Sequence, residues 1–334
     1  MKRVFFFISL IILLSGTVLA SINISSEITL MNSANFNTGE DPSYTQIGNA
    51  LVTLSSSGYK NIKTDIAVNA GFSSTEATPT ASLDRITIKA KFPSFRLLMG
   101  KTRLDWGEGE LFNAGNVLFE DATKSAPIIN DALVLQRKWL TSITYPLSSF
   151  SFIEGALIVP TTNKAADVKG GLRYYNSERD IKIETGAAAN QDKVTPYVSI
   201  SGSIGIESAL SASISIPFDG DEETRNESLT FSASVFHIFS FLNQDTLSLR
   251  GEALYTPFTA SWLFFYPSVQ YQFSNGISLS LKSIVSILNE SASISGGLGW
   301  NIFEGLVMSS YINTNNILSS NELISVSFTL SSLF

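Results

Sequence analysis

Between Arg85 and Asp121 the chain gathers charged side chains able to act on a dissolved ion. Arg85, Lys89 and Lys91 are spaced by even numbers of residues, so an extended strand carries all three on one face. Arg103 follows, and then carboxylates crowd the next stretch: Asp105, Glu108, Glu110, Glu120 and Asp121. Arg137 and Arg173 fall on what read as neighbouring strands. A wall of fixed cations facing fixed anions biases which ions cross a narrow aqueous space, because low-dielectric walls confine the field. The same charges, paired with one another, would instead hold the acidic segment in place. Both readings follow from the sequence.

Bond-making chemistry finds less material. The chain has no cysteine and one histidine, His237. Nucleophilic hydrolysis needs a base beside its serine and a group to orient that base. Alternation counted from Ser232 and Ser234 leaves His237 among apolar residues near a tight turn. The expectation is therefore no enzyme, no catalytic residue and no cofactor. Lack of cysteine removes disulfides, thiolate metal sites and attachment of lipid through an N-terminal thiol. The acidic stretch Phe218–Glu227 has no calcium-loop spacing and reads as a solvated loop, so no metal is expected. Net charge is −7, or about −9 without Lys2 and Arg3, which argues against nucleic acid as a partner.

The elements that must position these charges are strands. Ile62, Ile66, Val68 and Phe72 oppose Lys63, Asp65 and Asn69; Ile86 and Ile88 oppose Arg85, Thr87 and Lys89; Leu210, Ala212 and Ile214 oppose Ser211, Ser213 and Ser215. Period-2 alternation over runs of about ten to fourteen residues suits strands that cross a bilayer at a tilt. No stretch of eighteen apolar residues is present for a membrane helix, although 44% of residues are hydrophobic and only 15% are charged. Alternation alone would also fit a sandwich or solenoid.

Two further features select lipid as the apolar solvent. Lys2 and Arg3 precede the apolar run Val4–Leu14 and a Val18-Leu19-Ala20 site. This reads as a secretory signal over residues 1–20, leaving a single barrel domain over 21–334. Links between strands alternate in length as well. Ser33–Tyr44, Ser73–Thr80, Asp105–Asn130, Pro160–Ala166 and Phe218–Arg225 read as long; Pro93–Ser94, Asn176–Asp180, Gly202–Ser203 and Ser274–Gly276 read as tight. Long loops outside and short turns on the periplasmic side, with aromatics such as Phe92, Tyr145, Tyr174, Tyr175 and Trp300 near the turns, is the plan of outer-membrane barrels.

The last strand, Ile324 to Phe334, alternates Ile324, Val326, Phe328 and Leu330 with Ser325, Ser327, Thr329 and Ser331. It resembles the terminal strand that the barrel-assembly machinery recognises, with Phe328, Leu330 and Phe334 as the signal; Ser332 departs from that pattern. The stretch Gly100–Gly109 (GKTRLDWGEG), followed by Phe112–Leu118 (FNAGNVL), resembles a motif of porin-like families related to alginate-export barrels. Ala114 stands where those families have proline and Asn116 where they have aspartate. The likeness covers under a tenth of the chain and implies a pore without naming its solute.

The fold expected is all-β: a closed, transmembrane, antiparallel up-and-down barrel of about eighteen strands, with sixteen the alternative. The third outward loop, Asp105–Asn130, carries Trp106, Leu111, Phe112, Val117, Leu118 and Phe119, too apolar to wave in water. It is expected to fold inward and narrow the lumen. The function expected is an outer-membrane porin for small hydrophilic solutes. Its constriction is assigned to Arg85, Lys89, Arg103, Asp105, Glu108, Glu110, Arg137 and Arg173. A structural or adhesive barrel with a blocked lumen is the alternative. Partners are then outer-membrane lipid, the assembly machinery, small solutes and, on the lipid side, a further copy of the chain.

Overall fold

Serine, threonine and β-branched residues in strict alternation cannot bury one face in a helix, and the chain accordingly forms strands throughout. The computed structural model describes residues 22–37, 41–56, 61–74, 76–119, 137–160, 168–218, 229–257, 263–287, 290–315 and 323–333. The signal at residues 1–20, together with Glu120, Asp121 and Phe334, lies outside them. In chain order the strands are β1 (Ile22–Asn37), β2 (Ser43–Ser56), β3 (Ile62–Ser73), β4 (Glu76–Lys91), β5 (Arg96–Thr102) and β6 (Lys138–Pro146). Next come β7 (Ser151–Val159), β8 (Lys169–Glu178), β9 (Ile181–Ala189), β10 (Lys193–Ile204) and β11 (Ile206–Ile214, resuming at Ile216–Pro217). The remainder are β12 (Leu229–Ser240), β13 (Thr246–Tyr255), β14 (Leu263–Gln272), β15 (Ile277–Ser286), β16 (Ser291–Phe303), β17 (Leu306–Asn315) and β18 (Leu323–Leu333).

Each strand pairs antiparallel with its sequence neighbours, and β1 pairs with β18 from Glu27↔Leu333 to Asn37↔Leu323. Eighteen strands thus form a closed barrel with no free edge, which is what hydrocarbon requires of a sheet. Side chains sort by face. Ile24, Leu210 and Phe231 stand 68%, 65% and 41% exposed on the outside. On β18, Ile324, Val326 and Phe328 are exposed while Ser325, Ser327 and Thr329 are buried on the inner side. Leu330 pairs with Leu30 on the outward face, opposite the inward hydroxyls.

Some local expectations change. Ser73–Thr80 reads as a long link, yet β3 reaches Ser73 and β4 opens at Glu76, with Gly71 opposite Thr80. The threonine-rich sequence continues the ladder because β-branched residues suit it. Ser33–Tyr44 likewise shrinks, since Ala34 pairs with Tyr44. Between Ala67 and Val68 the register with β4 slips past Asp84; such a bulge re-aims a side chain, and the Asp84 carboxylate meets Arg137. Of the two adjacent tyrosines, only Tyr174 faces outward. Tyr175 stacks on Phe152 at 4.8 Å and pairs with Glu184, which places it on the inner side.

Candidate functional site

After Thr102 the chain leaves the wall and the stretch from Arg103 to Phe119 packs onto the water-side face of other strands. Gly107 and Gly109 turn it with φ of 71° and 144°. A Cβ at Gly107 would lie 2.6 Å from the Asn113 side-chain oxygen, so the two limbs of the turn meet there. The stretch then has two separate attachments.

The first attachment is made on β7–β10. Trp106 is fully buried, its indole N–H donating to Glu154 at 3.2 Å. Tyr197 stacks on the ring at 5.9 Å and the Arg173 guanidinium lies 5.7 Å from its centroid. Gly171 leaves the space: a Cβ there would come within 2.6 Å of Trp106. Arg173 donates to Glu154 at 2.8 Å and to Glu184 at 3.3 Å, and also to the Asp105 carbonyl at 3.1 Å. Glu184 accepts the Gly107 backbone N–H at 2.8 Å and the Tyr197 hydroxyl at 3.2 Å. Lys169 donates to the Val117 carbonyl at 2.6 Å. Buried carboxylates persist only when paired and hydrogen-bonded, and each of these is.

The second attachment is made on β12, β13 and β14. Glu252 accepts three consecutive backbone N–H groups, from Glu110, Leu111 and Phe112, each at 2.8 Å. Arg250 donates to Glu252 at 3.3 Å and to Glu110 at 2.8 Å. The Ala114 N–H donates to the Ser232 hydroxyl at 2.8 Å. Leu111 and Phe112 bury against Leu254 and Tyr266. Lys182 adds a more exposed pair with Glu108 at 3.3 Å.

The assigned residues separate into two groups. Arg103 meets Asp105 at 2.7 Å and lies 4.9 Å from the Phe119 ring; Glu108, Glu110, Arg137 and Arg173 have the partners above. Arg85 and Lys89 take no part in this cluster. The register puts Arg85 opposite Ala67 and Lys89 opposite Lys63, on the inner face of β4. Arg103 pairs with Asp105 within its own segment, Arg137 with Asp84 on β4, and Arg173 with Glu154 and Glu184 while donating to the Asp105 carbonyl of the loop. Sequence reasoning missed Glu154, Glu184, Lys169, Ser232 and Glu252. Each is a polar residue at a water-side position of an alternating strand, and for Glu154, Glu184 and Glu252 the signal was a carboxylate in mid-strand. His237 pairs with Leu249 on the outer face, its ring edge-on to Phe239 at 4.3 Å.

No family model matches the chain, and no curated protein does. Solved structures do resemble it. OpdQ of Pseudomonas aeruginosa aligns with TM-score 0.63 at 9% identity, covering 94% of this chain and 99% of that one. The fold is that of an outer-membrane β-barrel. Acinetobacter baumannii OccAB3 aligns with TM-score 0.59 at 13% identity, over 93% of this chain and 100% of that one. The outer membrane protein OpdK of Pseudomonas aeruginosa gives 0.61 at 9%, over 93% and 98%. The resemblance to alginate-export families gains no support from these likenesses; the motif that carried it is the Trp106 turn, and its glycines and tryptophan have local packing reasons.

Proposed function

We propose that the protein is an outer-membrane porin through which small hydrophilic solutes diffuse passively, narrowed by the segment that begins at Asp105. The observation that carries this reading is the attachment of that segment to inward-facing side chains of the wall, with Glu154, Glu184 and Glu252 each bonded to it. Wall residues buried around a loop place fixed charge and bulk inside the barrel, where both regulate passage. The full-length likeness to the outer membrane protein OpdK supports the location. Export by residues 1–20 and recognition of the Phe328, Leu330 and Phe334 strand by the assembly machinery belong to the same reading. On the β4 side, Arg85 and Lys89 bias the lumen toward anions, while Glu108 and Glu110 of the loop are paired with Lys182 and Arg250 of the wall.

The test is single-channel conductance of the refolded mature protein in a planar bilayer, beside a deletion of the segment from Thr102 to Ile129. Stepwise conductance that grows on deletion supports a narrowed pore. Absence of conductance from both, in protein that still shifts on a gel with heating, would move the reading to a structural or adhesive barrel.

A further inference from the structure

Near the short-turn end of the barrel, four cations face one another on the inner wall of β3, β4 and β5. Lys63 stands directly opposite Lys89, and Lys91 directly opposite Arg96. Directly opposed residues have Cβ atoms about 4.5–5.5 Å apart, and like charges in that relation are destabilising. The two pairs are separated by one inward-facing step, Lys89 to Lys91, roughly 7 Å along the strand. Their outward neighbours, Ile62 at 46% and Ile88 at 47% exposure, are lipid-side residues, so alternation turns the cations inward. Together they line a cavity of about 270 Å³ with Ser142, Thr144 and Glu154.

Asp65 shares the inner face one step from Lys63, where it accepts the Thr87 hydroxyl at 3.2 Å. None of the four cations has an ion-pair partner among the described residues, in contrast to Arg103, Arg137, Arg173 and Arg250. The single acid on the cavity, Glu154, is already engaged by Arg173, the Trp106 indole and the Thr144 hydroxyl. Two stacked like-charge pairs in a barrel otherwise rich in matched ions call for a counter-charge from solution. One carboxylate would leave most of the charge uncompensated. A compact anion bearing several charges on several oxygens meets three ammonium groups and a guanidinium fork together.

We propose that the Lys63, Lys89, Lys91 and Arg96 quartet is a binding site for a compact multivalent oxyanion of the phosphate class at the short-turn mouth of the lumen. Its ligand arrives through water, since the quartet faces away from lipid. The inference deepens the channel reading and rests on it for access to the site.

Isothermal calorimetry on the folded mature protein in an uncharged detergent separates the two claims. Pyrophosphate is titrated against acetate at matched ionic strength. Saturable pyrophosphate binding is expected, weakened at least tenfold in K63Q/K89Q and independently in K91Q/R96Q, and unchanged in Lys282→Gln on β15. Heat-modifiability on a gel reports that each variant is folded. Undiminished affinity in both folded double variants, absence of saturable binding, or acetate binding as tightly as pyrophosphate would overturn the proposal. Conductance without this binding sinks the site and leaves the channel standing; binding by a barrel that does not conduct does the reverse.

Discussion

Trp106 and Glu252 show how single residues fasten a loop inside a wall. Trp106 buries its whole ring over Gly171, whose absent Cβ would otherwise lie 2.6 Å away. Overpacking at such a contact costs about 1–3 kcal/mol. Gly171→Ala is expected to displace the ring and loosen the segment, read as quenching or shift of tryptophan fluorescence with the barrel still heat-modifiable. Unaltered emission would show that the ring has room elsewhere. Glu252 satisfies three backbone donors at once. In Glu252→Ala each orphaned buried donor costs roughly 1–3 kcal/mol unless water reaches it. Noisier, larger single-channel steps are the expected result; steps identical to those of the parent protein would mean that the β7–β10 attachment alone positions the loop.

Two predictions belong to the elements. The turn between β12 and β13 is tied to the turn between β14 and β15 by Asp245. Its carboxylate accepts from the Tyr271 hydroxyl at 2.7 Å, the Ser274 backbone N–H at 2.8 Å and the Asn243 amide at 2.6 Å. The Tyr271 hydrogen bond first, then the Ser274 N–H, holds the Asp245 carboxyl below its ordinary value of 3.8. A depressed carboxyl contributes stability above its unfolded value, and that contribution is lost as pH falls through the folded one. Melting temperature should therefore drop more steeply with acid below 3.8 in the parent than in Asp245→Asn; parallel curves would refute the tie. On the strands, alternation predicts opposite tolerance at adjacent positions. Leu210→Arg on the lipid side should destabilise by about 2–4 kcal/mol if near the bilayer midplane, measured by urea unfolding in vesicles. Equal cost at Leu210 and at its inward neighbour Ser211 would contradict the assignment of faces.

At the scale of the whole molecule, closure of β1 on β18 makes one continuous wall, and the 103–119 stretch divides its chemistry. Strands β7–β10 and β12–β13 lend inward polar side chains to the loop, whereas Lys63, Lys89, Lys91 and Arg96 on β3–β5 have no ion-pair partner among the described residues. Replacing Arg85 and Lys89 by glutamine should shift the reversal potential of the pore toward cations. The same change at Arg137 should alter it less, because Asp84 already neutralises that guanidinium. An unchanged reversal potential in the first variant would remove the anion bias. Much of this was legible in the sequence, and for one physical reason: a strand's side chains alternate, so a chain in lipid must write its two solvents into every second residue. The faces of β3, β4, β11 and β18 follow from that rule alone; the expectation of a barrel also drew on the alternating link lengths and the N-terminal apolar run, and the third loop stood out by its apolar composition. The rule is local, and it says nothing about which strand a side chain faces across the lumen. Only tertiary structure brought Glu154 to the Trp106 indole, 48 residues away, and Glu184 and Glu252 to loop backbone 77 to 142 residues away, or placed Lys63 against Lys89. A carboxylate reads the same in sequence whether water, a lysine or three amide groups neutralise it, and that choice is made by contacts between distant strands.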